Sequence, residues 1–407
     1  MRRQNNQDAM NVLVASDGDY WEQRGHLFIV CDGMGAHAAG ELASKMAADG
    51  VAHTYNKDEN AEPAAALQKA ILGANRQIFD KGRADLEFQG MGTTCSAMVL
   101  LPEGITIGHV GDSRIYRCRD NQLEQLTFDH SLVWEVRAAS GSDDESAGIN
   151  LPKNIITRSL GPSPQVKVDL EGPLPVQTGD KYLLCSDGLT GPLSDVVVGT
   201  LLNCLPPAEA VRVLVDLANL RGGPDNITVV IVEAEEQLES EEEEDDGGRR
   251  IKSRLLWATS IIAAVTAGVT WITENYVPSM LSMVGALCAA VMALFVQFRR
   301  EEEDDDRPVR PLGQAPYATF DCSPGTETLE LLANVLERLR QVVDDSSASL
   351  DADVVEQLQQ RPDQRSSDAD ASETVRRDSR LICAVVAELR KAKTDRNRFS
   401  DSAFDML

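Results

Sequence analysis

The chain has 407 residues, room for two or three domains. Hydrophobic residues make up 43% and charged residues 26%, which excludes a wholly disordered chain. The net charge of −26 argues against a nucleic-acid binder, which would present a basic face.

Residues 1–233 are expected to form one globular domain. A strand is predicted at His26–Cys31, then helices over Ala38–His53 and over Ala64–Asp80, the second entered through Pro63. Strands follow at Thr94–Leu100, Ile105–Val110, Arg114–Cys118 and Lys181–Ser186. A helix over Pro207–Leu220, with Val211, Val213, Leu214 and Leu217 at helical spacing, precedes a last strand at Ile227–Val232. Strands arrive in runs rather than alternating strictly with helices, so the fold class is α+β and not a doubly wound sheet.

The acid is unevenly placed. Residues 233–246 carry ten carboxylates and 301–306 six more; without these sixteen the net charge is −10. Residues 234–254 read as an acidic and then basic linker, and 299–310 as a second charged linker, because blocks of like charge stay extended. Between them, Leu255–Thr273 and Val277–Phe298 contain no charged residue. A bilayer-crossing helix needs about 20 mostly apolar residues, so 255–298 (255–273 and 277–298) predicts a transmembrane helical hairpin. Arg249, Arg250, Lys252 and Arg254 before it, and Arg299 and Arg300 after it, put both flanks on the cytoplasmic side. The expectation is a multi-pass protein of the inner cell membrane, with the lipid bilayer as a partner and both soluble parts cytoplasmic. Both segments are internal, so neither is expected to be a signal peptide.

The tail, 311–407, carries Leu329, Leu332, Leu336, Leu339 and Val343 at alternating spacings of three and four, and Leu381, Val385 and Leu389 mark another helix. It reads as a helical or partly disordered interaction region, with a helical partner or self-association expected. The eight cysteines form no CxxC pair, which points away from a zinc site or a disulfide scaffold.

Chemistry concentrates where strands or loops end in an aspartate beside a small residue. These places are Asp32-Gly33-Met34-Gly35, Gly111-Asp112-Ser113-Arg114, Ser186-Asp187-Gly188 and Gly223-Pro224-Asp225-Asn226; Arg3 to Asp8 is a fifth candidate. Carboxylates at strand ends, freed of bulk by glycine, can converge, and hard divalent ions want such oxygen ligands. A single Asp-Gly is ordinarily a turn; four such aspartate-ending segments in one domain say more.

This set, with Gly92-Thr93-Thr94-Cys95, resembles the type-2C metal-dependent protein serine/threonine phosphatases (the PPM family) over about residues 2–233. It is similar to their bacterial branch, in which methionine replaces the histidine of Asp-Gly-His-Gly. The resemblance implies a two-sheet antiparallel β-sandwich flanked by helices (αββα) with a metal centre at one end. It implies two, or three, Mn²⁺ or Mg²⁺ ions. Asp32 would bridge two of them, the Gly33 carbonyl would bind one, and Asp187 and Asp225 would complete a shell. Asp112 would help hold a third ion, Arg3 would grip phosphate, and Asp8 is the acid of the first motif. Asn226 would support the Asp225 loop, and Thr93 and Thr94 would pack without reacting. The substrates implied are phosphorylated proteins, hydrolysed at phosphoserine or phosphothreonine by in-line attack of a metal-bridging hydroxide. The alternative is a catalytically weak or inactive phosphoprotein-binding scaffold.

No cysteine in the first domain is followed six positions on by arginine, so a covalent cysteine phosphatase loop is absent there. His37, His53, His109 and His130 read as loop or surface histidines rather than general acids. Three features depart from the family pattern. Gln7 stands where an acid is usual, and Ala36 replaces a usual glycine. The family's usual first strand has no counterpart before Arg3, which leaves either an upstream start or an unfilled sheet edge. Residues 129–157 correspond to the family's variable flap.

Overall fold

The computed structural model describes residues 5–35, 38–58, 61–140, 151–152, 155–235, 312–345, 351–359 and 368–395. Two antiparallel sheets carry the fold. The first contains β1 (Asp8–Leu13), β2 (His26–Met34), β3 (Gly92–Thr93), β4 (Cys95–Leu101), β5 (Gly104–Val110) and β8 (Asp169–Leu174). Its order is β1-β2-β4-β5-β8, with β3 paired to the end of β2. The second contains β6 (Arg114–Arg119), β7 (Gln122–Gln125), β9 (Lys181–Cys185), β10 (Val229–Glu233) and β11 (Ala318–Asp321), in the order β10-β9-β6-β7-β11.

Continuous apolar runs sit where a strand is covered on both faces. In β4 and β5 every residue is buried. Phe28, Val30, Met98, Ile105 and Ile107 of the first sheet meet Ile115, Tyr182 and Leu184 of the second, and form the core between the sheets. The other face of the first sheet packs on α2 (Ala39–Lys57) and α3 (Pro63–Ala84). Ala43, Ala47, Ala66, Ala70 and Ala74 line that contact, and their small side chains let helix and sheet approach closely. Helix α3 starts at its predicted place: Pro63 needs no N–H partner, and the Glu62 carboxylate accepts the N–H groups of Ala64 and Ala65. The α+β expectation and the sandwich flanked by helices agree with this architecture.

The outer face of the second sheet packs on α6 (Asp195–Cys204) and α7 (Pro207–Leu220). Over these lie three helices of the C-terminal segment: α8 (Thr326–Asp345), α9 (Ala352–Gln359) and α10 (Asp368–Asp395). Leu332, Leu336 and Leu339, the predicted stripe, are buried with Leu201, Leu214, Leu217, Val385 and Leu389. The expected external helical partner is therefore corrected: the stripe is covered by helices of the same chain. Residues 1–235 and 311–407 cluster as one compact unit. Arg376 donates to the Cys204 carbonyl at 2.7 Å, and Arg390 pairs with Asp216 at 2.6 Å.

The membrane hairpin is also corrected. Among the described residues no helix is long and apolar enough to cross a membrane. The segments 255–273 and 277–298 themselves lie outside the described residues, as do both charged linkers beyond Glu235. The transmembrane anchor, the bilayer as a partner and the multi-pass inner-membrane location are withdrawn.

Strand register sets the site. Asp8, at the start of β1, stands opposite Asp32, near the end of β2. Asp112 follows β5 and Asp187 follows β9, while Asp225 precedes β10. Cys185 pairs with both Arg114 and Val229, so these ends meet on one side of the sandwich.

Candidate metal centre

Each predicted aspartate is fixed by its backbone. The Asp32 N–H donates to Thr94 Oγ1 at 2.8 Å, and its carbonyl accepts from Thr93 Oγ1 and from the Thr94 N–H, both at 2.9 Å. Thr94 Oγ1 and Ser113 Oγ lie 2.7 Å apart, which ties the β2 end to the Asp112 turn. Thr93 and Thr94, both fully buried, thus hold the Asp32 backbone in place.

Gly33 has no room for a side chain. A Cβ there would lie 2.1 Å from the Gly40 carbonyl oxygen and 2.5 Å from that of Gln7. Gln7 departs from the family pattern, yet its backbone works structurally. Its carbonyl accepts from Gly33 N–H at 3.1 Å and from Ser44 Oγ at 2.6 Å, and its N–H donates to Asn226 Oδ1 at 2.9 Å. Asn226 thereby joins the Asp225 loop to the start of β1.

Asp187 opens the short helix α5 (Asp187–Thr190). Behind it Gly188 lies against the other loop: a Cβ at Gly188 would stand 1.9 Å from the Asn226 carbonyl oxygen. Asp8 Oδ2 accepts from Ser186 Oγ and from Thr228 Oγ1, both at 2.8 Å.

The acids feel one another. Burial, then the charges of Asp8, Asp187 and Asp112, holds the Asp32 carboxyl well above the usual carboxylate range. Side-chain contact with Asp187 adds to that rise. Burial raises Asp8 against the lowering effect of its two hydroxyl donors, and the charges of Asp187 and Asp225 add to the rise. Burial and Asp187 push Asp112 up to about 7. Such mutual repulsion is relieved by protons or by a cation.

Asp8, Asp32, Asp112, Asp187 and Asp225 are therefore gathered at one end. Arg3 lies outside the described residues, as do His37, Ala36 and flap residues 141–150. Among the described residues no group of three or more His, Cys, Asp or Glu is arranged to hold a metal ion as it stands. The donor chemistry still suits a hard divalent ion: crowded carboxylates whose mutual repulsion a cation would relieve, with the Gly33 carbonyl as a further oxygen donor.

Two predicted surface histidines are in fact interior. His109 and His130 are buried, and His130 grips the turn before Asp112. Arg114, next in sequence to that motif, turns away from the carboxylates. It clasps Asp129 through two nitrogens, with Nε at 3.0 Å and Nη2 at 2.7 Å, and reaches Asp195 at 3.1 Å. Ser186, Thr228 and His130 have no local signal, because their partners are far away in sequence.

Two stacked antiparallel sheets between helices, with carboxylates collected at one end, define the architecture of the metal-dependent serine/threonine phosphatases. The chain belongs to the Protein phosphatase 2C family, whose model matches residues 2–219. It is similar to a putative protein phosphatase 2C-type of Streptococcus pyogenes, 37% identical over 238 residues that cover 58% of this chain and 94% of the relative. It is also similar to the serine/threonine phosphatase stp of Listeria welshimeri, 37% identical over 237 residues, 57% of this chain and 91% of the relative. The crystal structure of the Mycobacterium tuberculosis serine/threonine phosphatase PstP/Ppp aligns with a TM-score of 0.51 and 32% identity, covering 58% of this chain and 95% of that one. The family is one of hydrolases that generally use Mn²⁺ or Mg²⁺.

Proposed function

We propose that this protein is a metal-dependent phosphatase that hydrolyses phosphoserine and phosphothreonine in proteins. The observation carrying this is the convergence of Asp8, Asp32, Asp112 and Asp187 at one sandwich end, where their charges hold one another's carboxyls above the usual range.

Asp32, Asp187 and Asp225, with the Gly33 carbonyl, would hold two Mn²⁺ or Mg²⁺ ions, and Asp112 would contribute to a third. When bound, such ions lower the pKa of a water toward neutrality and offset charge on phosphoryl oxygens. The chain's own residues do the positioning. Thr93 and Thr94 fix Asp32 at its backbone. Ser186 and Thr228 orient the Asp8 carboxylate. Asn226 holds the Asp225 loop against the β1 end through Gln7. Arg3 would supply a bidentate grip on the phosphoryl oxygens, which suits guanidinium geometry. Burial of the acids keeps local dielectric low, so their charges act strongly on whatever binds.

Phosphate release from a phosphothreonine peptide by the full chain, compared with a phosphotyrosine peptide, tests this reading. Mn²⁺-dependent release from the phosphothreonine peptide is expected. Release independent of Mn²⁺, or none, contradicts it.

A further inference from the structure

The C-terminal segment lies outside the family match, which ends at residue 219. The Streptococcus relative, matched over 94% of its own length, has little chain left to supply a counterpart. Yet the segment is built into both sheets. Gly172 of β8 and Leu312 exchange backbone hydrogen bonds, and β11 pairs with β7.

Between these two attachments sits Glu171, 2% exposed. Its Oε2 accepts the N–H groups of Gln314 at 2.8 Å and Ala315 at 3.0 Å, and its Oε1 accepts from Tyr317 Oη. A buried carboxylate without partners is strongly disfavoured, so this acid is matched to the segment that covers it.

Tyr317 then reaches the catalytic end. Its N–H donates to the Gln125 carbonyl at 2.8 Å, and its ring meets Phe128 edge-on at 5.5 Å. Phe128 neighbours His130, ring centroids 6.2 Å apart, and its carbonyl lies 3.0 Å from His109 Nε2. His130 holds Gly111 by both backbone groups: Gly111 N–H donates to Nδ1 at 2.9 Å, and Gly111 carbonyl accepts from His130 N–H at 2.8 Å. His130 Nε2 lies 2.8 Å from Asp169 Oδ2 and 2.8 Å from Arg158 Nη1, which ties the ring to β8. Asp169 is two residues from Glu171 on β8, and Arg158 also pairs with it at 2.8 Å. The next residue after Gly111 is Asp112.

We propose that Glu171 and Tyr317 are positioning residues, which lock the C-terminal segment against the Phe128–His130 stretch and thereby fix the Gly111–Asp112 turn. The proposal rests on the reading of Asp112 as part of the phosphatase site. The segment is an intramolecular brace of that site, built from residues outside the family match.

The test uses the full chain, as wild type, Tyr317→Ala, Tyr317→Phe and Glu171→Gln. Amide hydrogen exchange is measured without metal over residues 109–113, with 95–101 of β4 as the internal control. The Mn²⁺ concentration giving half-maximal phosphatase activity is measured alongside. Tyr317→Ala is expected to speed exchange at 109–113 but not at 95–101, and to raise half-saturating Mn²⁺ roughly three- to tenfold, with turnover recovered at saturating metal. Tyr317→Phe, which keeps the ring, should shift less. A merely structural role would lower the folded fraction and speed exchange in both regions, which overturns the proposal. So does wild-type exchange with wild-type half-saturation. Should Tyr317→Ala not fold, Glu171→Gln decides by the same two readouts. Absence of Mn²⁺-dependent activity in the wild type would defeat the phosphatase reading alone, and exchange would still judge the brace.

Discussion

Thr228 Oγ1 donates to Asp8 Oδ2 at 2.8 Å and so joins the two sheets at the end where the carboxylates gather. Thr228 lies just before β10 of the second sheet, and Asp8 opens β1 of the first. Ser186 Oγ completes the pair of donors. Thr228→Val keeps the shape and removes the donor. It should destabilise the protein by about 1–3 kcal/mol, because a half-buried carboxylate loses a hydrogen bond. Urea unfolding of the two proteins at pH 7 measures the difference. Equal midpoints and slopes would mean that the contact carries no weight.

Gly188→Ala tests the close approach of the two metal-side loops. The added Cβ would meet the Asn226 carbonyl oxygen at 1.9 Å, so the loops must separate. A cost of about 1–3 kcal/mol is expected from such overpacking, with weaker Mn²⁺ binding because Asp187 and Asp225 move apart. Isothermal titration with Mn²⁺ reads the second effect directly, and unchanged affinity would count against the proposed ligand pairing.

How much of this was legible in the sequence depends on distance along the chain. The aspartates announced themselves because each sits beside a glycine or tight turn within its own motif. Their supports did not. Ser186 and Thr228 act on Asp8 from 178 and 220 residues away, and no local pattern encodes that. Strand β1 was missed because Asp8–Leu13 mixes Asp and Asn into an edge whose inner face is only partly covered. Helix α6, DVVVGTLLNC, is rich in β-branched residues and is helical through tertiary packing on the second sheet. The leucine stripe of α8 was visible, but not its covering, since α6 and α7 lie more than a hundred residues earlier. The two charge-free runs at 255–273 and 277–298 met the length rule for a membrane span, yet length and composition alone do not place a segment in a bilayer.

The C-terminal helices should contribute to the stability of the catalytic fold. Leu336 is 1% exposed and shares its core with Leu201, Leu214 and Leu217. Leu336→Ala is expected to cost about 2–5 kcal/mol, the range for a cavity in a packed core. Thermal unfolding should show one lowered transition. A second, separate transition with the first unmoved would show that the segment folds independently.

His109 makes the fold sensitive to acid. It is buried, its Nε2 faces the carbonyls of Gly111 and Phe128, and Nδ1 meets Ser96 Oγ at 2.9 Å. Burial, then the neighbouring His130, pushes its pKa down to about 3. The unfolded imidazole takes its proton near pH 6.5, while the folded one stays neutral. Stability from this group is thus fully present above about pH 6.5 and is lost as pH falls toward 3, at about 1.4 kcal/mol per pH unit. The raised acids at the site act with the opposite sign, so the comparison must be with His109→Asn. That variant, unfolded by urea at pH 7, 5.5 and 4, should show the shallower loss. Parallel pH profiles would contradict the assignment.

The most direct measurement is hydrolysis of p-nitrophenyl phosphate by the full chain and by Asp32→Asn, each with Mn²⁺ and with EDTA. Asp32 stands opposite Asp8, and the charges of Asp8, Asp187 and Asp112 all bear on it. Activity is expected only in the wild type with Mn²⁺, and at least roughly a hundredfold lower in Asp32→Asn. Equal activity in the two proteins, or activity that survives EDTA, would contradict a metal-dependent phosphatase built on these carboxylates.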